Sequence, residues 1–247
     1  MPHAVSALRA ARLARSAKPF LARGGSRREH CPGCRLVTSH CQCALRPQAA
    51  TRAGICLLMH DTEPLKPSNT GWLIADVVAN TYAFGWTRTE ADPALLALLA
   101  DARWQPYVVF PGEFAPQQRV LRALPAAAVA PGAPGPRPLF VLLDATWPEA
   151  RKMFRKSPYL ERFPVFSLEG GDVSRYRLRR AQCAQHLCTA QVAALCLEQA
   201  GEPQAGALLQ AWLDVYSERY LQAKNQRPAD GDSAAHRQLR ALVTSPP

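Results

Sequence analysis

LFVLLDATWPEARKMFRKSPYL, Leu139 to Leu160, decides how this chain folds. It opens on five apolar residues, Leu139 to Leu143, the pattern of a strand covered on both faces. The run stops at Asp144, where such a strand reaches the rim of its sheet. Thr146 can cap a helix, Pro148 suits its first turn, and Trp147, Ala150, Met153 and Phe154 make an apolar stripe at helical spacing. Arg151, Lys152, Arg155 and Lys156 leave a cationic surface beside that stripe. A carboxylate at a strand end, with aromatic and basic neighbours, sits where open α/β sheets place their chemistry. The same residues also fit an ordinary turn before a core Trp, and both readings stand on this stretch alone.

The arrangement recurs along the chain. Ile55 to Met59 reads as a buried strand ending in His60-Asp61-Thr62-Glu63, after which Pro64 and Pro67 force a loop. Beyond Asn69 and Thr70, Leu73, Ile74, Val77 and Val78 recur at helical spacing. Tyr82 to Trp86 predicts a short strand. Asp92 can cap a helix with Pro93 in its first turn and Leu95, Leu96, Leu98 and Leu99 on its buried side. Tyr107 to Phe110 predicts another strand, halted by Pro111-Gly112-Glu113, and Gly112 would let a ligand approach the backbone closely. Pro125 to Pro138, rich in Ala, Pro and Gly, reads as a flexible crossing between two halves of one domain. Val165 to Leu168 predicts one more strand, and Tyr176 to Arg180 sets Arg177, Arg179 and Arg180 close together. Leu187-Cys188-Thr189 leads into a helix with Val192, Leu195 and Cys196 inward and Gly201 at its end. A last helix carries Leu209, Trp212, Leu213, Tyr216 and Tyr220 on one face. Strands alternating with helices, each strand ending in polar residues, predict an α/β layer with its site along one rim.

At 247 residues and 48% hydrophobic content, the chain can bury one substantial core plus appendages. It has no apolar run long enough to cross a bilayer, so no membrane association is expected. The net charge of +11 suggests a polyanionic partner, nucleic acid before membrane surface, although an Arg- and Ala-rich composition can also reflect genomic bias. Residues 1–28 contain no acid but seven bases, Arg9, Arg12, Arg15, Lys18, Arg23, Arg27 and Arg28. Such an arm could follow RNA phosphates or act as an organelle transit peptide, and its expected resting state is a solvated, disordered tail.

Eight cysteines in a chain this long do not resemble a small disulfide scaffold, and their clustering points to metal and a reducing compartment, taken as the cytoplasm. Cys31-Pro-Gly-Cys34 and Cys41-Gln-Cys43 could complete a tetrahedral, structural zinc site that holds a short segment without a core of its own. A redox pair in Cys31 and Cys34 is the other reading. His30 and His40 flank the cluster as weaker ligand candidates, and Cys56 and Cys196 look like core. The organisation expected is a basic disordered arm over 1–28, a cysteine-rich knuckle over 29–50, a catalytic domain over 51–224 and a flexible tail over 225–247.

At Asp144-Ala-Thr146-Trp147 the chain resembles the DTW-domain family, named for its D-x-T-W motif. The likeness runs from about Cys31 to Tyr220. It takes in the cysteine knuckle, Thr62-Glu-Pro-Leu-Lys-Pro-Ser-Asn-Thr70-Gly71, Phe110-Pro-Gly-Glu113, Leu143 to Met153, Tyr176 to Arg180 and Leu187-Cys-Thr189. One departure is visible: Gln191 stands where the family usually has a glutamate, which favours a structural role there. The family is similar to the SPOUT class, which implies a parallel sheet with a C-terminal trefoil knot binding S-adenosylmethionine. The implied reaction moves the 3-amino-3-carboxypropyl group of S-adenosylmethionine to N3 of a tRNA uridine and releases methylthioadenosine. The variable loop is the favoured target, with the D-loop as alternative.

Under that resemblance the residues take expected roles. Uridine N3 must lose a proton, so Asp144 is a candidate base, or else an anchor for the cofactor's ammonium; His60 is the alternative base or a hydrogen-bonded wall residue. Thr146 would fix the loop, and Trp147 either stacks on a base or packs in the core. Pro111, Gly112, Glu113, Asp144, Leu187, Cys188 and Thr189 would hold the cofactor, and Lys66, Asn69, Arg151, Lys152, Arg177, Arg179 and Arg180 are candidate tRNA contacts. No obligate protein partner is evident. Rival readings are a SPOUT-type RNA methyltransferase, the same chemistry on ribosomal RNA, and a non-catalytic zinc-knuckle RNA-binding protein.

Overall fold

The computed structural model describes residues 3–17, 29–126, 135–168 and 187–244. Six parallel strands make one sheet: β1 Gly54–Met59, β2 Thr81–Gly85, β3 Trp104–Val109, β4 Val120–Leu121, β5 Arg137–Asp144 and β6 Val165–Phe166, in the order β2-β1-β5-β3-β6-β4. The α/β reading holds. The apolar run at Leu139 is the sheet's interior, because β5 lies between β1 and β3 and needs partners on both edges and both faces. Register places Met59 of β1 opposite Asp144 of β5, so both strands end at one rim.

Successive side chains point to opposite faces, and each face has its own helices. Ile55, Leu57, Phe140 and Leu142 meet α2 (Gly71–Val77), α5 (Thr189–Gln199) and α6 (Pro203–Lys224), whose Trp212 and Tyr216 fill that side. Cys56, Leu58, Leu139 and Val141 meet α3 (Pro93–Ala100) and α4 (Trp147–Arg155). Asp92 caps α3 as expected, accepting from the Ala94 amide at 2.8 Å. Asp144 keeps the alternation of Phe140 and Leu142, so its side chain enters the face of α2 and α5.

Several expectations are corrected. The disordered arm does not describe Ala4–Ala14, which form α1; its Val5 is fully buried and its start is closed by a reciprocal His3–Ser6 capping box. The flexible tail does not describe Ala234–Thr244, which form α7, packed on α6 through Ala235, His236 and Leu239. In α5 the buried side is Ala190, Ala193, Cys196 and Leu197, while Val192 and Leu195 are only half-buried. The two-residue β4 had no signal beyond Val120-Leu121 itself. No knot is shown by the described residues, since 169–186, which join β6 to α5, lie outside them. Among the described residues, no helix is long and apolar enough to cross a membrane.

Candidate functional site

Asp144 ends β5 as a nearly inaccessible carboxylate, 1% exposed, with donors gathered from two distant segments. Asn69 Nδ2 donates to its Oδ2 at 2.7 Å, and Thr189 Oγ1, at the first residue of α5, donates to its Oδ1 at 2.8 Å. Asn69 is itself fully buried. Its amide also faces Glu63 Oε2 at 3.4 Å, and its carbonyl Oδ1 accepts from the Trp72 backbone amide at 3.2 Å. That second contact is the turn-and-cap habit of Asn at a helix start, and it fixes which end of the amide points at Asp144. A Cβ on Gly71 would lie 2.6 Å from Asp144 Oδ2, so only glycine lets the start of α2 approach the carboxylate this closely.

The same loop carries more buried charge. Glu63 is fully buried and takes an ion pair from Lys66 at 2.5 Å. Thr70 Oγ1 accepts from the Ala190 amide at 3.3 Å, tying the α2 start to the α5 start. Gln191 turns its Oε1 back to accept from the Cys188 amide at 3.1 Å at the start of α5. Burial pushes the Cys188 thiol up to about 11, so it faces the site as a neutral group.

His60 follows β1 at the rim, half-buried, its backbone amide donating to Asp144 O at 3.0 Å. Its ring stacks on Trp86 at 6.2 Å between centroids, and Nδ1 lies 3.5 Å from Glu149 Oε1 in α4. Glu149 accepts from Thr146 N at 3.0 Å and Thr146 Oγ1 at 2.6 Å, closing the turn between β5 and α4. Burial works to raise the Glu149 carboxyl, but the two Thr146 bonds, His60 and Lys66 outweigh it and hold it below its ordinary value.

Trp147 belongs to an aromatic cluster: it stacks on Phe110 at 5.5 Å and meets Phe114 edge-on at 5.6 Å, with Arg151 above Phe114 at 4.8 Å. Packing on Phe110 therefore takes up one face of the indole, and the residue as a whole is half-buried. Gly112 is close to its own fold rather than open, since a Cβ there would meet Val120 Cγ1 at 2.9 Å, and its amide donates to Ser167 Oγ at 3.0 Å. Pro111 and Glu113 are exposed, and Leu187 is half-buried at the mouth of α5. Of the expected RNA contacts, Arg151 and Lys152 are exposed, Lys66 is engaged by Glu63, and Asn69 is too deeply buried to reach a phosphate. Arg177, Arg179 and Arg180, like Cys183, lie outside the described residues.

The cysteine cluster lies beside this network. The sulfurs of Cys31, Cys34, Cys41 and Cys43 all fall within 4.8 Å of one another, with separations of 3.5 Å for Cys31–Cys41, 3.6 Å for Cys31–Cys43 and 3.8 Å for Cys34–Cys41. Four Zn–S bonds of about 2.3 Å put tetrahedral sulfurs roughly 3.8 Å apart, so the donor set fits that ion. Burial pushes Cys34 up to about 11, and burial with the neighbouring thiols raises Cys43; a divalent cation is the group that would let all four ionise. His30 and His40 are occupied elsewhere, at Arg35 O and Arg227 O, and neither joins the cluster.

Arg35, next in the chain after Cys34, is a site residue that the sequence did not single out. It closes the knuckle in the left-handed region at φ 65°. Its buried guanidinium donates to Lys66 O at 2.8 Å and Asn69 O at 2.9 Å while stacking 4.3 Å above Trp72. The knuckle thus grips the loop that supplies Asn69 to Asp144. No local signal marks it, because an Arg after a CxxC pair reads as surface charge.

The model of the DTW domain matches residues 28–221. No solved structure matches the chain.

Proposed function

The chain belongs to the DTW domain family, which is associated with acp3U modification of tRNA, and from that premise we propose that it moves the 3-amino-3-carboxypropyl group of S-adenosylmethionine to N3 of a tRNA uridine. The observation that carries this reading is the convergence of two motif segments, 62–71 and 187–191, on the Asp144 carboxylate of a third at the carboxyl rim of the sheet, with the two also bonded to each other. Open α/β sheets bind ligands at such a rim. The SPOUT-like knot, cytoplasmic location and choice of the variable loop belong to the same proposal.

The reaction needs the N3 proton removed, the N3 lone pair delivered to the γ-carbon, and the C–S bond's electron pair returned to sulfur as a neutral thioether. No general acid is required for that departure. Asp144 has its two oxygens engaged by Asn69 and Thr189 and almost no exposure, so its part is to fix the α2 and α5 starts around the site and present negative charge to the sulfonium. His60 is the proton acceptor, being half-exposed at the rim with Glu149 against its Nδ1. Arg151 and Lys152 contact tRNA phosphates. The four cysteines hold zinc, which supplies folding energy rather than a reacting atom.

Incubation of the purified chain with tRNA and S-adenosylmethionine tests this. Methylthioadenosine with acp3U in the digested tRNA is the expected result. S-adenosylhomocysteine would replace it with methyl transfer, and binding without either product would leave a zinc-knuckle RNA binder.

A further inference from the structure

Helix α1, residues Ala4–Ala14, precedes the matched domain, which begins at residue 28, yet it packs on the loop Glu63–Leu65 at the site's rim. Its seating is apolar: Val5 is fully buried and Leu8 packs against the same core. Arg12 serves as a strut, donating from Nε and NH2 to the two Asp61 oxygens at 2.7 and 2.8 Å. That bond also neutralises an acid that would repel a polyanion next to His60. Asp61 and His60 are consecutive, and His60 faces Glu149 of α4, so two basic helices border one stretch of rim.

Two cations remain, Arg9 within α1 and Arg15 at its C-cap. Arg15 is exposed, and Arg9 lies half-buried, sharing its surroundings with Arg35. The Arg9 Nε is shielded from solvent and has no hydrogen-bond partner among the described residues. Arg9 and Arg15 are thus basic groups on a helix packed against the rim loop, with no hydrogen-bonded carboxylate on either among the described residues. Residues 1–28 contain no acid to supply one from the same arm.

We propose that α1 is an RNA-binding wall added to the domain, with Arg9 and Arg15 contacting backbone phosphates of the tRNA whose uridine enters at the rim. The inference rests on the proposed tRNA substrate but not on the group transferred. Phosphate contacts release counterions, so each one steepens the dependence of binding on salt.

The test uses the full chain and an unmodified tRNA transcript, with filter-binding constants measured between about 50 and 200 mM salt. R9A/R15A should bind about tenfold more weakly at the middle of that range, with the log–log salt slope shallower by about 1.5 for two lost contacts. R9K/R15K should restore most of the slope, because charge and not shape sets it. An unchanged melting temperature checks that Val5 and Leu8 still seat the helix. Wild-type and R9A/R15A proteins with equal affinity and equal slope would overturn the proposal, as would a wild-type chain that binds no tRNA. A chain that binds with the expected slopes but releases S-adenosylhomocysteine would sink the transferase reading and leave this one standing.

Discussion

Replacing Asp144 should destabilise the fold by an amount set by its donors. In Asp144→Ala, Asn69 Nδ2 and Thr189 Oγ1 each lose an acceptor, at sites where water has little access. Hydrogen bonds to a charged partner are worth about 1.5–3 kcal/mol each, so two give roughly 3–5 kcal/mol after the relief of removing a buried charge is allowed for. Asp144→Asn should cost less, about 1.5–3 kcal/mol, because its carbonyl still serves Asn69 while its NH2 turns to the rotatable Thr189 hydroxyl. Asn69 cannot flip to compensate, since its own carbonyl is held by the Trp72 amide. Urea unfolding of the three proteins, read as midpoints at constant slope, checks the order wild type, Asn, Ala. A double cycle with Thr189→Val should show coupling of about 1 kcal/mol or more. If Asp144→Ala unfolds within about 0.5 kcal/mol of wild type, the carboxylate does not organise the two helix starts and the reasoning fails.

Two further perturbations isolate single contacts. Gly71→Ala should cost about 2–4 kcal/mol and most of the activity, because its methyl would press on Asp144 Oδ2, whereas Gly85→Ala, with nothing nearer than 3.8 Å, should stay within about 1 kcal/mol; thermal melts of the pair decide it. Burial holds His236 below its ordinary value, with the charge of Arg219, whose Nε donates to its Nε2, adding to the effect. The unfolded chain then binds the extra proton more readily, so stability contributed by a neutral His236 is present above about pH 6.5 and lost as pH falls through and below it. His236→Asn should flatten that segment of the stability–pH curve, and an unchanged curve would count against it.

What the sequence made legible divides along physical lines. The Leu139–Leu143 run announced itself because a strand covered on both faces has no polar alternation to confuse it, and Asp144 marked the rim by ending that run. The thiol spacing placed four sulfurs together because all four fall within a thirteen-residue stretch, Cys31 to Cys43. Asn69 and Arg35 were not legible in their roles, since each is polar and finds its partners only when segments 31 to 75 residues away close around it. Asn69 carried one hint, its place three residues before Trp72 at a helix start. α1 and α7 read as tails because short basic runs cannot bury enough surface alone, and it is docking of α1 on β2, the 63–65 loop and α2, and of α7 on α6, that orders them.

The knuckle is wired to the site, and this has a consequence for metal removal. Trp72 Nε1 donates to Gly33 O at 3.1 Å and Arg35 donates to Asn69 O, so the cysteine loop holds α2 and its preceding turn from two sides. Gly33 sits between Cys31 and Cys34, where a Cβ would strike Cys43 Sγ at 2.8 Å, so any loosening of the four-sulfur cluster would move that carbonyl. Chelation should therefore raise amide exchange not only at 31–43 but also at 69–74, where Asn69 bonds Lys66 O and Leu73 bonds Thr70 O. In Arg35→Ala the second segment should already exchange fast, and chelation should add little there while still opening 31–43. Protection at 69–74 that survives chelation in the wild-type chain would show that the knuckle folds and fails by itself, and that the path from sulfur through Arg35 and Asn69 to Asp144 carries no energy.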